Sequence, residues 1–343
     1  MREAPLRVGI LGAGANTRGK HIPLLQKIPG VEVVAVCNRG LESARRVCAE
    51  FKIPRAVEKP EDIFADGDLD AVVIGTWPDK HCEFTLQALA HDKHVLCEAR
   101  MAMDEREAQR MLEAAHARPQ LVTQVVPAPF TLPMDGLVRA RVEAGIGQLL
   151  AVHIFLQNGA FPDGSAPQSW RQTRRTSGNN IMMVGIFYEA MMRWVGPART
   201  VFATLQTAVA ASPDPATGRR EQNDVPDAVQ ALGRLVRDNA DFCLLAANTH
   251  GLRKETSCWI YGSEGTLAVL PGQDLLFGKR GGRLTSLKHL WQDKPGWRVE
   301  EEFVGAIRGR EQVRFTTFAD GCAYMRFTDA LHASARTGRA VEI

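Results

Sequence analysis

The sequence predicts an α/β protein with two domains: an N-terminal, doubly wound parallel sheet and a C-terminal α+β domain with an open, mainly antiparallel sheet. Three observations support this fold class. A glycine-rich turn follows the first apolar run, and apolar runs then alternate with helical segments as far as residue 126. Beyond that point, strand-like runs follow one another without helices between them. We therefore expect domains at 1–126 and 127–343, with the last helix, about 315–336, packing back against the body.

Composition narrows the classes of function. The formal net charge of +3 is small and scattered, so we expect small-molecule substrates and no nucleic acid partner. The seven cysteines include no CxxC pair, which indicates reduced thiols and a cytoplasmic protein. The N-terminus lacks the apolar core of a signal peptide, and no apolar run is long enough to span a bilayer. We expect no membrane association.

The glycine-rich turn begins where the apolar run Val8–Leu11 ends. Gly12 permits a tight turn, Gly14 lets the backbone approach a pyrophosphate, and the helix that follows offers N–H groups to that anion. The full fingerprint has a third small residue where this chain has Thr17. The predicted cofactor contacts in this stretch are Gly12, Gly14, Ala15, Asn16 and Thr17.

The second strand, Val31–Cys37, ends in Asn38 and Arg39. An acidic residue at this place would bind the ribose hydroxyls of NAD. Asn38 carries no charge to repel a 2′-phosphate, and the Arg39 guanidinium can pair with one or stack on adenine. We therefore expect the cofactor to be NADP in preference to NAD. The alternative interpretation is that Arg39 is one more solvated arginine.

Two further strand ends carry polar residues. Ligands of such sheets lie beyond the carboxyl ends of the strands, so both ends are candidate sites. The run 69–76 leads into Trp77, and the run His94–Cys97 leads into Glu98. The alternative role for His81 is to support the turn that follows the run 69–76. The pair His91 and His94 has no acidic third ligand at suitable spacing, so we expect no metal. The further predicted cofactor contacts are Thr76, Trp77, Pro78, His81 and Glu98.

Three motifs at these strand ends resemble the Gfo/Idh/MocA oxidoreductases, the family of glucose–fructose oxidoreductase and inositol dehydrogenase. They are GxG followed by His21-Ile22-Pro23, Thr76-x-Pro78-x-x-His81, and the run 93–98. Trp170-Arg171 and Ser177-Gly178 extend the likeness into the second domain. The resemblance implies a Rossmann domain, a second domain whose open sheet mediates assembly into a homodimer or homotetramer, and hydride transfer between NAD(P) and a sugar, polyol or related compound.

The chain departs from this family where the family performs its proton transfer. The family's Glu-Lys-Pro is Glu98-Ala99-Arg100 here, and its Gly-x-His-x-x-Asp places Phe187 and Ala190 at the histidine and aspartate positions. Neither Ala99 nor Phe187 can move a proton. Arg100 can hold a carboxylate or hydroxyl, but it stays protonated and cannot act as a base.

Three interpretations remain open. The first is an oxidoreductase with a non-standard proton relay, the second a catalytically silent dinucleotide-binding sensor or partner protein, and the third a lyase or glycosidase that recycles a bound cofactor without net redox change. Under the first, the predicted catalytic residues are Glu98, Arg100, Tyr188 and Glu189. The predicted substrate contacts are Trp77, His153, Trp170 and Arg171. His21 belongs either to the cofactor side or to the core, and the sheet face of His153 points either to a ligand or to solvent.

Overall fold

The computed structural model describes residues 5–294 and 296–343. The chain forms two compact units. The first contains the residues up to Pro127 together with Arg298–Cys322, and the second contains Ala128–Trp297 and Ala323–Ile343. The sequence led us to expect a continuous second domain at 127–343. In the structure, residues 298–322 belong to the first unit instead.

The sheet of the first unit is parallel throughout and has the order β3-β2-β1-β4-β5-β6. Its two halves meet between β1 and β4, where the strand order reverses. The strands are largely buried because helices flank a parallel sheet on both faces, which confirms the predicted doubly wound architecture. The six strands are β1 (Leu6–Leu11), β2 (Val31–Cys37), β3 (Arg55–Val57), β4 (Ala71–Ile74), β5 (His94–Cys97) and β6 (Thr123–Val125).

Five helices follow these strands in turn. A π-helical turn, Thr17–His21, leads into the first of them. Asp104 caps the fifth helix, since its carboxylate accepts the Glu107 N–H at 2.8 Å. The fourth helix begins at Pro78, because a proline suits the first turn of a helix. The helices are α1 (Ile22–Leu25), α2 (Leu41–Phe51), α3 (Pro60–Phe64), α4 (Pro78–Ala90) and α5 (Glu105–His116).

The second unit contains a nine-stranded sheet of order β16-β15-β14-β13-β7-β12-β11-β8-β17. All neighbours are antiparallel except β7 and β12, so the sheet is mainly antiparallel, as predicted. A separate hairpin, β9 with β10, lies in the polar segment 211–226 that we predicted to be a hairpin tip. The strands are β7 (Leu149–Asn158), β8 (Ala198–Gln206), β9 (Ala211–Pro213), β10 (Arg220–Gln222), β11 (Ala228–Leu235), β12 (Asp241–Ala247), β13 (Lys254–Gly262), β14 (Gly265–Leu270), β15 (Asp274–Lys279), β16 (Thr285–Ser286) and β17 (Val341–Glu342).

Helices cover one face of this sheet. The Tyr188 ring stacks on Phe327 with centroids 3.7 Å apart, and both meet Phe242 of β12 edge to face. The aromatic cluster buries the helix face that carries Tyr188. The remaining helices of the chain are α6 (Asp135–Ala144), α7 (Arg174–Ser177), α8 (Val184–Val195), α9 (Val299–Ile307) and α10 (Phe318–Thr337).

The opposite face of the nine-stranded sheet carries an apolar row. Side chains alternate along β7, so Val152 and Ile154 point into the core while His153 lies on the other face. On that face Leu232 is 59% exposed and Phe202 is 42% exposed. We call the row of directly paired residues the open-face row; it consists of Leu276, Ala268, Trp259, His153, Cys243, Leu232 and Phe202.

The segment that returns to the first unit covers the edge of the parallel sheet. Thr316 and Val125 of β6 exchange two backbone hydrogen bonds, of 2.9 and 3.1 Å. Glu302 of α9 is buried and accepts the N–H groups of Arg314 and Phe315. The outer edge of β6 is thus paired with this segment instead of being left exposed. No helix in the part of the chain that the structure describes has the length and apolar character that a membrane crossing needs.

Candidate cofactor and substrate sites

The glycine-rich turn has the geometry of a phosphate-binding turn. Gly12 has φ +85°, and a Cβ there would lie 2.8 Å from the Thr76 nitrogen, so only glycine fits. Gly14 is different, because the nearest atom to a Cβ at this position is the Gly75 carbonyl oxygen, at 3.6 Å. The space beside Gly14 is therefore open, and an anion can approach the first N–H groups of the helix that begins there. These residues fit the pyrophosphate of a dinucleotide.

Thr17, which replaces the third glycine of the fingerprint, is 1% exposed. A Cβ on Gly75, just after β4, would lie 2.1 Å from Thr17 Oγ1 and 2.3 Å from the Gly12 carbonyl oxygen. The close packing of helix on strand that the third glycine usually permits is therefore supplied by Gly75. The Thr17 side chain is buried against protein, so the geometry does not support a contact of this side chain with the cofactor, and Thr17 as a cofactor-binding residue stays a prediction. Ala15 beside it is exposed.

The two residues that follow β2, Asn38 and Arg39, make different kinds of contact. The Asn38 side chain accepts the Ala13 N–H at 2.7 Å and donates to Ser43 Oγ at 3.0 Å, so it holds the glycine-rich turn in place. Arg39 is exposed, and its guanidinium lies 4.4 Å from the centre of the Trp77 ring. The strands that carry Arg39 and Trp77, β2 and β4, flank β1 on either side. Trp77 therefore lies beside Arg39 at this end of the sheet, and its two predicted roles, as a cofactor contact and as a substrate contact, stay predictions.

His81 links two strand ends. Its Nδ1 lies 2.9 Å from the Arg100 carbonyl oxygen and its Nε2 lies 3.1 Å from the Thr76 carbonyl oxygen. The side chain is fully buried, and burial lowers its pKa. Pro78 is buried as well. The burial of both side chains does not support a cofactor contact through them, and the contacts of His81 agree with the alternative that it supports the turn.

Arg100 is 4% exposed, so its guanidinium lies beneath the surface. Its role in holding a substrate stays a prediction. Among the described residues, no group of three or more histidine, cysteine, aspartate or glutamate side chains is arranged to hold a metal ion.

A buried ion cluster stands at the end of β5. His21 Nε2 lies 2.9 Å from Glu98 Oε1, and His21 Nδ1 lies 2.5 Å from Glu300 Oε1 on α9. The Asn16 amide donates to the same oxygen of Glu98. The side chains of His21 and Glu300 are 0% exposed, whereas that of Glu98 is 14% exposed. Of the three ionisable members, which we call the β5 cluster, only Glu98 reaches the surface.

The contacts within the β5 cluster hold His21 and Glu98 in their ionised forms at neutral pH. Burial alone would lower the pKa of His21, but hydrogen bonds and charge interactions with Glu300 and Glu98 outweigh it and raise the pKa to about 9. Burial alone would raise the pKa of Glu98, but the contacts with His21 and Asn16 outweigh it and lower that pKa. An imidazolium thus lies between two carboxylates, and the cluster carries a net charge of about −1.

The sequence left His21 open between the cofactor side and the core, and it did not single out Glu300. The two residues are 279 positions apart. In the sequence, Glu300 stands out only as part of an acidic stretch with helical apolar periodicity. Such stretches are too common to identify a site.

Two predicted catalytic residues of the second unit are buried in structural contacts. Tyr188 is fully buried, its hydroxyl oxygen accepts the Ala198 N–H at 2.8 Å, and burial raises its pKa. Glu189 is 2% exposed and pairs with Arg193, which also lies 3.0 Å from Asp135. The geometry therefore does not support Tyr188 or Glu189 as the proton carrier, because both side chains are buried.

Phe187, at the position of the family's histidine, packs on Phe130. The two rings stack with centroids 4.7 Å apart and planes at 15°. Phe187 is 3% exposed. Phe187 is therefore held in an apolar stack and cannot itself take up or release a proton.

Trp170 and Arg171 lie in a capped helical turn. Ser169 and Gln172 form the cap, and the Arg171 guanidinium lies 4.2 Å from the Trp170 ring centre. Arg171 also lines a cavity of about 260 Å³ within the second unit. The substrate role of this pair stays a prediction. The other lining residues are Phe161, Pro162, Asp163, Ser169, Gln172, Met182, Val209, Val225, Pro226, Asp227, Asn248 and Thr249.

His153 is not among the residues that line this cavity. It lies in the open-face row, 5.1 Å from the Tyr261 ring centre. Its predicted role as a substrate contact is not supported, since its neighbours on the sheet are the apolar residues of that row.

Family models built from known proteins match the sequence within both units. Residues 6–125 match the oxidoreductase family with an NAD-binding Rossmann fold, and residues 137–268 match the GFO/IDH/MocA C-terminal domain. The chain is 27% identical over 344 residues to the inositol 2-dehydrogenase of Acidothermus cellulolyticus, covering 98% of this chain and 94% of that protein. It is 27% identical over 278 residues to an uncharacterised oxidoreductase of Synechocystis sp., covering 78% and 73%.

Among solved structures, levoglucosan dehydrogenase in complex with NADH and L-sorbose matches with a TM-score of 0.86. The match covers 98% of each chain at 21% identity, which shows a shared fold. Together with the two matched domains, these findings show that the chain belongs to the Gfo/Idh/MocA family of oxidoreductases.

Proposed function

We propose that this protein is an NAD(P)-dependent dehydrogenase or reductase that acts on a sugar, a polyol or a related small hydroxy or carbonyl compound. The observation that carries the proposal is the phosphate-binding turn at β1, in one sheet with an ionised, partly exposed Glu98 at the end of β5. The relatives named inositol 2-dehydrogenase and levoglucosan dehydrogenase support the substrate class.

The first unit would hold the cofactor. Gly12 and Gly14 would seat the pyrophosphate, and Arg39 with Trp77 would bind the adenosine half. NADP is our preferred cofactor, because the Asn38 amide is neutral and engaged with Ala13 and Ser43, while Arg39 is exposed and positively charged. The cofactor, when bound, supplies hydride chemistry at its nicotinamide.

The protein must then take up or release a proton at the substrate oxygen. Ala99 and Phe187 cannot do so, and Tyr188 is enclosed in the core. Glu98 is the remaining predicted acid–base residue with an exposed portion, and its lowered pKa keeps it in the basic form at neutral pH. We assign the proton-accepting role to Glu98, with His21 and Asn16 holding its carboxylate in position.

A dinucleotide-binding sensor is the second candidate function. The Phe130–Phe187 stack favours it, because an apolar pair stands where the family places its proton carrier. A sensor would bind the cofactor tightly and would show no turnover.

One experiment separates the candidates. The purified protein is titrated with NADPH and NADH by fluorescence. NADP⁺ reduction is then followed with a panel of sugars, inositols and sugar acids, and NADPH oxidation is followed with their oxidised forms. We expect turnover with at least one polyhydroxylated compound, and its loss in Glu98→Gln with cofactor binding retained. Tight cofactor binding with silence across the panel would establish the sensor. Product formation without net change in bound cofactor would establish a lyase or glycosidase.

We also propose that the open-face row mediates a homodimer or homotetramer, since its exposed apolar side chains, Leu232 and Phe202, favour a second copy. Leu232→Lys should lower the mass measured by light scattering. Leu252→Lys, at an 88% exposed residue in a loop, is the control. An unchanged mass in Leu232→Lys would contradict the proposal.

The seven free thiols favour a reducing compartment, which we propose to be the cytoplasm.

A further inference from the structure

The β5 cluster lies in the half of the parallel sheet that receives the nicotinamide, if the proposed function holds. In sheets of this order, each half binds one mononucleotide, and the ligand lies beyond the carboxyl ends of the strands. The glycine-rich turn and Arg39 belong to the β1-β2-β3 half, which leaves the β4-β5-β6 half for the nicotinamide. Glu98 stands at the carboxyl end of β5, so its exposed portion faces that half.

The charge of the β5 cluster then acts on the nicotinamide. The ring is cationic when oxidised and neutral when reduced, so a nearby net negative charge stabilises only the oxidised form. The side chains of His21 and Glu300 are wholly buried, where solvent screens their charges weakly. We propose that Glu98, His21 and Glu300 together form a net-negative group that shifts the relative affinity of the protein toward the oxidised nicotinamide cofactor and away from the reduced one.

Glu300→Gln tests this without touching the ligand. The change removes one negative charge from the cluster and leaves Glu98, which contacts the surface, intact. We define the preference ratio as the dissociation constant of NADPH divided by that of NADP⁺, each measured by titration calorimetry at about pH 6, where His21 is protonated. Glu300→Gln should lower the ratio about tenfold. Arg100 is unchanged in every variant, so it does not enter the comparison.

Two neighbours on α9 provide matched controls. Glu301→Gln removes the same charge from an exposed position, and Glu302→Gln removes it from a buried position whose carboxylate binds Arg314 and Phe315 instead of His21. Both controls should keep the wild-type ratio. A general loss of stability would appear in Glu302→Gln as well, so it cannot imitate the expected result.

The pH dependence gives a second test that needs no variant. As pH rises through about 9, His21 loses its proton and the cluster becomes more negative, so the wild-type ratio should rise. In Glu300→Gln one of the two carboxylates that face His21 is gone, so the rise should occur at a lower pH and return the ratio toward the wild-type value. The proton on His21 is followed in parallel by NMR of the imidazole.

The outcomes are distinct. A ratio that Glu300→Gln leaves unchanged, or a wild-type ratio that stays flat through about pH 9 while His21 titrates, would overturn the inference and leave the proposed function standing. A protein that binds neither NADP⁺ nor NADPH, nor the NAD pair, would overturn both.

Discussion

The two units of this chain treat departures from the family pattern in opposite ways. In the first unit, Thr17 replaces a glycine of the fingerprint, and Gly75 on the facing strand restores the close packing. In the second unit, Phe187 replaces a histidine, and its neighbour Phe130 completes an apolar stack. Cofactor binding depends on backbone shape, which several residues can supply, whereas proton transfer depends on one side chain at one place.

The largest expected effect tests the compensation in the first unit. Gly75→Ala places a Cβ 2.3 Å from the Gly12 carbonyl oxygen, so we expect the free energy of unfolding to fall by about 3 kcal/mol or more in urea titration. Gly14→Ala meets only the Gly75 carbonyl oxygen, at an ordinary contact distance of 3.6 Å, so it should leave stability unchanged while lowering NADPH affinity about tenfold. Gly67→Ala is the control for both. Equal stability of Gly75→Ala and Gly67→Ala would refute the compensation.

The next effect concerns the ionisation of the β5 cluster. Glu98 and Glu300 face His21 and raise its pKa in the folded protein to about 9, above the unfolded value of 6.5. The stabilisation is therefore fully present below about pH 6.5 and is lost as pH rises through 9. We expect a loss of about 3 kcal/mol in the free energy of unfolding across this window. Glu300→Gln should shift the loss to lower pH; an unchanged profile in this variant would contradict the assignment.

A smaller effect sharpens the cofactor assignment. Arg39→Ala should weaken NADPH binding about tenfold, because it removes an exposed guanidinium just past the end of β2, and it should change NADH binding less than about threefold. Arg45→Ala, at an exposed arginine of α2 that pairs with Glu42, is the control. Equal losses for NADPH and NADH would argue against NADP.

The smallest effect tests the corrected role of Tyr188. Tyr188→Phe leaves the buried Ala198 N–H without its acceptor, so we expect the free energy of unfolding to fall by about 1 to 2 kcal/mol. Turnover and cofactor affinity should be unchanged. Tyr261→Phe, on the open face of the sheet, is the control. Loss of turnover in a folded Tyr188→Phe protein would restore Tyr188 as a proton carrier.

Local pattern predicted many elements of both units. The bounds of β2, β5, α6 and β14 agree with those read from the sequence, because each is an apolar or periodic run with turn residues at its ends. The glycine-rich turn was recognisable for the same reason. The parallel pairing of β7 with β12 was not, since the two strands are distant in sequence.

The candidate site was harder to predict where it depends on orientation or on distant contacts. Helix α8 is apolar around most of its circumference, so its sequence does not show that Tyr188 and Glu189 face the interior. The contact of His21 with Glu300 joins residues from opposite ends of the chain. Such contacts leave no periodic signal in a single sequence.

The return of residues 298–322 to the first unit has a consequence for synthesis on the ribosome. All six parallel strands have been made by residue 125, yet the partner of β6 at Thr316 and the carboxylate of Glu300 emerge only after the whole nine-stranded sheet except its last strand. Until that segment is made, the first unit of the nascent chain has an unpaired strand edge, and His21 faces one carboxylate instead of two. A nascent chain truncated before Arg298 should bind chaperones at this edge, and release should coincide with translation of α9.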